Sequence, residues 1–244
     1  MEPLRDWLCR LCQSAKRKKV FQRLYADSYW VWALDGIETY SSRKLHCPAC
    51  LVREITVGGE KVQEYYHREV VLQLVGVKPA FPLDAEPMLA GETEIDAALR
   101  LVRRWHKRAP RLFDVFTVDA FYLKAPFVKE ITGLGYGVQA VLKDETRNLY
   151  QDVDGLLRKE PAAQNIVVGK RRAALWDFRD METWPQLGQS VRVVRSLERY
   201  TERHHQPRGS SQGKWEVVEK ESDWRWVVVF PDGKMPPPEL IRQW

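Results

Sequence analysis

Long apolar runs are missing from this chain: no stretch approaches the roughly 18 residues that a membrane-spanning helix needs. The N-terminus is charged and lacks the apolar core of a secretory signal. A soluble protein with no membrane partner, located in the cytoplasm, is therefore expected. Internal repeats and long low-complexity tracts are absent too, which excludes solenoid folds. Cysteine is scarce, with four residues, and all of them fall in two CxxC pairs, Cys9/Cys12 and Cys47/Cys50. In a reducing compartment that pattern favours a metal over a disulfide.

What is present points to a globular fold. The 244 residues, 44% of them hydrophobic, suffice to bury a sizeable core in one large or two small domains. Lys and Arg outnumber Asp and Glu by 39 to 33, a formal net charge of +6, so an anionic partner is plausible. The cations cluster at Lys16–Lys19, at Arg103/Arg104 with Lys107/Arg108, at Lys170-Arg171-Arg172, and at Arg199 with Arg203. Each cluster is either a phosphate contact or simply a solvated face. Tryptophan is abundant, and Trp215, Trp224 and Trp226, in strand-like runs, read as packing residues.

Periodicity orders the chain. Leu4, Trp7, Leu8 and Leu11, followed by Val20, Phe21 and Leu24, predict an amphipathic helix over about 3–26 with a basic middle. Trp30–Leu34 reads as a buried strand that Ile37–Tyr40 continues past Gly36. A hairpin turning at Gly58-Gly59 leads into a strand over 65–77. Thr93 caps a helix over about 94–107, whose stripe is Ile95, Ala98, Leu99, Val102 and Trp105 and which stops before Pro110. A strand over 113–118, a helix from Pro126 to Gly133 and a strand over 138–142 follow. Three strands, then helix, strand, helix and strand is the order of a ribonuclease H-like α/β core, a mixed sheet flanked by helices. Beyond a short helix at 147–158, runs at 165–168, 171–178, 191–197, 214–219 and 224–230 predict an antiparallel β-rich insertion, with 208–213 as a hairpin tip. Pro236–Trp244 reads as the start of a helix.

Asp35 closes the first of these strands and Asp119 the strand over 113–118. In a ribonuclease H-like layout the first and fourth strands lie side by side, so the two carboxylates should meet. Crowded carboxylates repel, and two aimed at one point commonly hold a hard cation such as Mg²⁺. The bland alternative is that each Asp is a turn or cap residue.

Cys47-Pro48-Ala49-Cys50 resembles a zinc knuckle, and His67, on the far arm of the hairpin, supplies a third corner. His46, a water, or one of Cys9 and Cys12 is left as the fourth ligand. Cys9 and Cys12 sit in a predicted helix, where such a pair more often packs as two small hydrophobes. Zinc here would pin a hairpin that lacks a core of its own.

Leu34-Asp35-Gly36, the run Tyr40–Leu51, Tyr65-Tyr66-His67, Asp119-Ala120-Phe121-Tyr122 and Ala125-Pro126-Phe127 together resemble the DDE transposases of bacterial insertion sequences, in the branch with a β-rich insertion before the last acid. The likeness runs from about residue 20 onward and is most specific over 34–51. It implies Asp35 and Asp119 as catalytic acids, Mg²⁺ or Mn²⁺ as cofactor, double-stranded DNA as partner, a homodimer as one assembly open to the chain, and basic residues of the insertion (Lys170, Arg171, Arg172, Arg199, Arg203) on the DNA. The divisions expected are a basic helix over 1–28, the catalytic core over 29–158, the insertion over 159–232, and the start of a final core helix, largely missing, over 233–244. The family's third acid, a Glu in a Tyr, Arg, Glu signature, has no counterpart: Tyr200 and Arg203 have the spacing, but the Glu position is Pro207. Glu198 and Glu239 are the remaining candidates, and neither carries the signature. A truncated transposase of little or no activity is expected. The alternatives are a DNA-binding remnant without chemistry, a metal-dependent nuclease and a zinc-stabilised structural module.

Overall fold

A computed structural model describes residues 2–20, 29–75, 81–145, 147–206, 214–231 and 236–242, with backbone alone at 168, 204–206, 214–215 and 239–240. The expected helix continuation through Phe21 and Leu24, the hairpin tip at 208–213, and the side chains of Trp215 and Glu239 lie outside the described residues. Two compact units are present, residues 1–138 and 139–243.

The first helix, α1 (Glu2–Arg17), has Glu2 in its first turn and Lys16 and Arg17 in its last, each matched to the local sign of the helix dipole. It stops short of the expected 26 because Lys19 adopts a left-handed φ of 54°. The Val20 N–H then returns to Ala15 O at 3.0 Å and Lys19 N–H to Lys16 O at 3.3 Å, satisfying carbonyls left open at the helix end. Its buried side differs from the expected stripe. Cys9, Cys12 and Ala15 face the protein, while Leu4, Trp7 and Leu11 are exposed. Small side chains allow the helix to approach closely, and a polar anchor described below holds it there.

The remaining strands of the first unit are β1 (Val31–Ser42), β2 (Leu51–Val57), β3 (Glu60–Leu74), β4 (Phe81–Pro87) and β5 (Val115–Val118). β1 pairs antiparallel with β3 and parallel with β5, so the order is β2-β3-β1-β5. The first half of β3 pairs with β2 and the second half with β4. β4 is a strand that the sequence reading does not contain. Pro82 and Pro87 break the alternation, and such prolines are tolerated because β4 pairs only with β3 among the described residues, as an edge strand.

α2 (Glu94–Arg108) begins at a capping box: Asp96 N–H donates to Thr93 Oγ1 at 3.3 Å and Thr93 N–H to Asp96 Oδ2 at 2.8 Å. Ala97, Ala98, Leu101, Val102 and Trp105 are buried on one face. Leu101 and Val102 are almost wholly sequestered, which stabilises by about 1.5–3 kcal/mol each. Asp84 of β4 joins the layers. Its carboxylate accepts from Arg5 Nε of α1, Arg104 Nη2 of α2 and Trp105 Nε1, each at 2.9 Å. A 3-10 turn at Pro110–Leu112 leads to β5, another at Ala120–Tyr122 follows it, and α3 (Ala125–Gly133) precedes β6 (Gly137–Val141), which crosses into the second unit.

The second unit holds α4 (Asn148–Leu157), β7 (Gln164–Val168), β8 (Arg171–Met181), β9 (Val191–Gln206), β10 (Lys214–Val229) and α5 (Pro238–Ile241). Its strands run antiparallel in the order β10-β9-β8-β7. Arg192, 1% exposed, is held by Asp177 and by Pro236 O. Trp226 is buried, whereas Trp224 is partly exposed and stacks on it at 6.3 Å. The whole is a mixed α/β protein with sheet and flanking helices. Among the described residues no helix is long and apolar enough to cross a membrane.

Candidate metal centre and acidic pair

The two ends of β1 carry different chemistry. At the distal end the chain leaves β1 at Ser42, and the 47–50 turn is closed by Cys50 N–H donating to Cys47 O at 3.1 Å. The Cys47 N–H donates to Cys50 Sγ at 3.2 Å. His67 lies opposite Tyr40, beside a register irregularity in the β1–β3 ladder. That register brings its ring to the turn. Cys47 Sγ and Cys50 Sγ are 3.7 Å apart, and each is 3.4 Å from His67 Nε2.

These three separations carry a test of fit. A tetrahedral ion with Zn–S bonds of about 2.3 Å and Zn–N of about 2.0–2.1 Å sets edges of about 3.8 Å between sulfurs and about 3.5–3.6 Å from sulfur to nitrogen. The observed triangle matches to within about 0.2 Å, so Cys47, Cys50 and His67 can hold a metal such as zinc. Among the described residues it is the one group of three or more Cys, His, Asp or Glu side chains with ligand atoms so close together.

His46 and the first CxxC pair do not join it. The His46 ring stacks on Tyr65 with centroids 4.5 Å apart. Cys9 and Cys12 are packed in the interior, where burial raises the Cys9 thiol and pushes Cys12 up to about 12, which keeps both protonated. They are the small hydrophobes that the alternative reading describes.

At the proximal end, β1 and β5 run in parallel register, with Trp32 opposite Phe116 and Leu34 opposite Val118. Asp119 is the residue after the last of β5, but Asp35, expected to close its strand, lies within β1, which runs on to Ser42; the parallel register still places the two acids on adjacent strands, each one residue past the Leu34–Val118 pair. Burial raises the Asp35 carboxyl above its ordinary range. The negative charges of Asp119 and Glu94 raise it further, against lowering by the Gly36 N–H and Arg68. Asp119 also plays the bland role: its Oδ1 accepts from Phe121 N–H at 2.8 Å and caps the 3-10 turn. The other carboxylate oxygen makes no described hydrogen bond to the chain.

Glu94 is the acid near this pair that sequence reasoning did not identify. It opens α2, where an acid reads simply as a partner for the helix dipole. Its carboxylate accepts from Arg68 Nε at 2.6 Å and from the buried Tyr122 hydroxyl at 2.8 Å. Burial and this bond hold the Tyr122 phenol well above its usual range, so it remains a donor. The carboxylate occupies the space beside Gly36, where an added Cβ would fall 2.1 Å from Glu94 Oε2. Side chains alternate along β1, so Gly36 turns toward Glu94 and Asp35 turns away. Asp35, Asp119 and Glu94 therefore do not form one ligand cluster.

In the second unit, Glu198 sits in an ion pair with Arg242 at 2.6 Å and another with Arg171 at 3.2 Å. Burial pushes its carboxyl up, but the two arginines outweigh burial and hold it below the usual range. Of the cations expected on DNA, Arg171 is thus paired and Arg199 pairs with Glu221 at 2.8 Å, while Lys170, Arg172 and Arg203 are exposed. A groove of about 530 Å³ there has Lys170, Arg172, Arg199 and Lys220 facing Glu219 and Glu221, a mixed rather than cationic lining.

No protein-family model matches the chain, and no curated protein matches it, so the likeness to transposases rests on the residues quoted for it.

Proposed function

We propose that the chain is a DDE-type transposase, with a ribonuclease H-like core over 29–158 and a β-rich insertion over 159–232, acting on double-stranded DNA. The observation that carries this reading is the parallel β1–β5 register, whose last pair, Leu34 and Val118, is followed in each case by an aspartate. The order β4-β3-β1-β5, with α2 crossing between β4 and β5, supports the same core. Asp35 and Asp119 offer hard carboxylate oxygens that suit Mg²⁺ or Mn²⁺. Such an ion supplies charge neutralisation on a phosphodiester and a more acidic bound water. The chain's own contribution is to place the two carboxylates on adjacent strands: Asp119 accepts from the Phe121 N–H, and Arg68, itself held by Glu94, offsets part of the repulsion on Asp35.

Two ions across an in-line displacement need more ligands than this pair supplies. No third carboxylate among the described residues closes on Asp35 and Asp119 within ligand distance. That favours, as a second reading, a DNA-binding protein that keeps the fold with little chemistry.

The test is Mn²⁺ titration of the zinc-loaded full chain, followed by electron paramagnetic resonance, alongside nicking of duplex DNA in Mn²⁺. The proposal expects one Mn²⁺ whose affinity falls at least tenfold in both Asp35→Asn and Asp119→Asn. Unchanged Mn²⁺ binding in either variant would sink the metal assignment. DNA binding that persists in EDTA with no nicking selects the second reading.

A further inference from the structure

We infer that a zinc ion held by Cys47, Cys50 and His67 keeps a fourth coordination position open, and that this position accepts an imidazole or thiolate donor from outside the chain. The inference is independent of the Asp35/Asp119 reading.

Three corners of a tetrahedron fix the fourth once the side of their plane that holds the ion is set, and the directions of the Cβ–Sγ bonds and of the His67 ring lone pair set it. The nearby polar side chains are committed elsewhere. The Tyr40 hydroxyl donates to Leu45 O at 2.8 Å, and its ring lies against that of His67 at 5.8 Å. Ser42 Oγ accepts from the Lys44 and Leu45 N–H groups at 3.2 and 3.0 Å. His46, next to Cys47 in sequence, turns its ring onto Tyr65. The Tyr65 hydroxyl is directed at Gln63. No fourth Cys, His, Asp or Glu among the described residues reaches the triangle.

Exposure points the same way. Cys47 is exposed and Cys50 and His67 are half-buried. Structural zinc sites are closed by four protein ligands, whereas three protein ligands leave a position for water or an incoming donor. Two thiolates and a neutral imidazole already balance the +2 charge of zinc. A neutral imidazole therefore binds without adding charge, and the thiolate-rich set favours N and S donors over hard oxygen. Loading releases the two thiol protons to solvent. In the exchange, one water leaves zinc as the donor's lone pair enters, and a thiol donor also gives up its proton.

Cobalt(II) substitution of the full chain reads this directly, since its d–d bands report coordination number and ligand type. One Co²⁺ per chain is expected, with tetrahedral bands and thiolate charge-transfer absorption that Cys47→Ser and Cys50→Ser each diminish. Titration with imidazole, and separately with a small monothiol, should shift the d–d envelope saturably to a 1:1 adduct. His46→Ala should give the same starting spectrum and the same shift. A spectrum indifferent to both added donors shows that a group of the chain already fills the position, and overturns the inference. A spectrum altered by His46→Ala assigns that group to His46 and overturns it too, as does failure to take up one Co²⁺.

Discussion

One strand, β1, runs through two regimes. Its first residues, Val31, Trp32 and Leu34, are buried between β3 and β5, where α2 covers the sheet. Beyond Gly36 nearly every residue is exposed, and the ladder with β3 continues without a core to lie on. The buried half is held by packing and by Asp84; the exposed half has the Cys47/Cys50/His67 triangle at its far end. A hairpin without buried apolar surface is marginal by itself, so the two halves should respond to different insults.

The largest effect should come from Asp84→Ala. It strands Arg5, Arg104 and Trp105 without their shared acceptor and should lower global stability by roughly 3–5 kcal/mol; a denaturant midpoint that hardly moves would show that the layers are held some other way. Zinc removal comes next and is confined to the distal half. Zinc at a hundredfold excess over its dissociation constant stabilises that arm by about 2.7 kcal/mol. Chelation should therefore strip hydrogen-exchange protection from 51–67 and leave 70–74 and 97–105 as they were, and uniform loss would abolish the contrast. At the hinge between the halves, Gly36→Ala drives a methyl into the Glu94 carboxylate and should cost about 2 kcal/mol, readable by thermal unfolding.

The smallest effect has the opposite sign. Because the Asp35 carboxyl is raised in the folded state, the fold binds its proton more tightly than the unfolded chain does. Stability is then lost as pH rises from the unfolded value through the raised one, and the ionised group is unfavourable at neutral pH. Asp35→Asn should raise the melting temperature at pH 7 while weakening Mn²⁺ binding, the signature of a side chain kept for chemistry rather than for stability. A lower melting temperature would contradict it.

The residues that sequence patterns expose are those obeying a local rule. Thr93, the α2 stripe and the stop before Pro110 give a helix within a residue of its observed end, and CxxC with a His on the facing arm gives the metal triangle. What stays hidden depends on distant partners. β4 looks like a loop because its prolines and its buried Asp84 break the apolar alternation. The hairpin of β9 and β10 extends well past the apolar runs, since pairs such as Arg195–Asp223, Arg199–Glu221 and Lys220–Glu202 replace apolar alternation with cross-strand charge. Glu94 is invisible for the same reason: only the fold places Gly36, Arg68 and Tyr122 around it. The exposed side of α1 is likewise unreadable from periodicity, because small buried residues and a charge pair outcompete the Leu4–Trp7–Leu11 stripe.

Asp84 also makes the grip on the first helix depend on distant parts of the chain. Its three donors come from positions 5, 104 and 105, so the contact to α1 spans 79 residues and is shared with the second helix through one edge-strand carboxylate. Loosening either the edge strand or the second helix should therefore slacken the first helix as well.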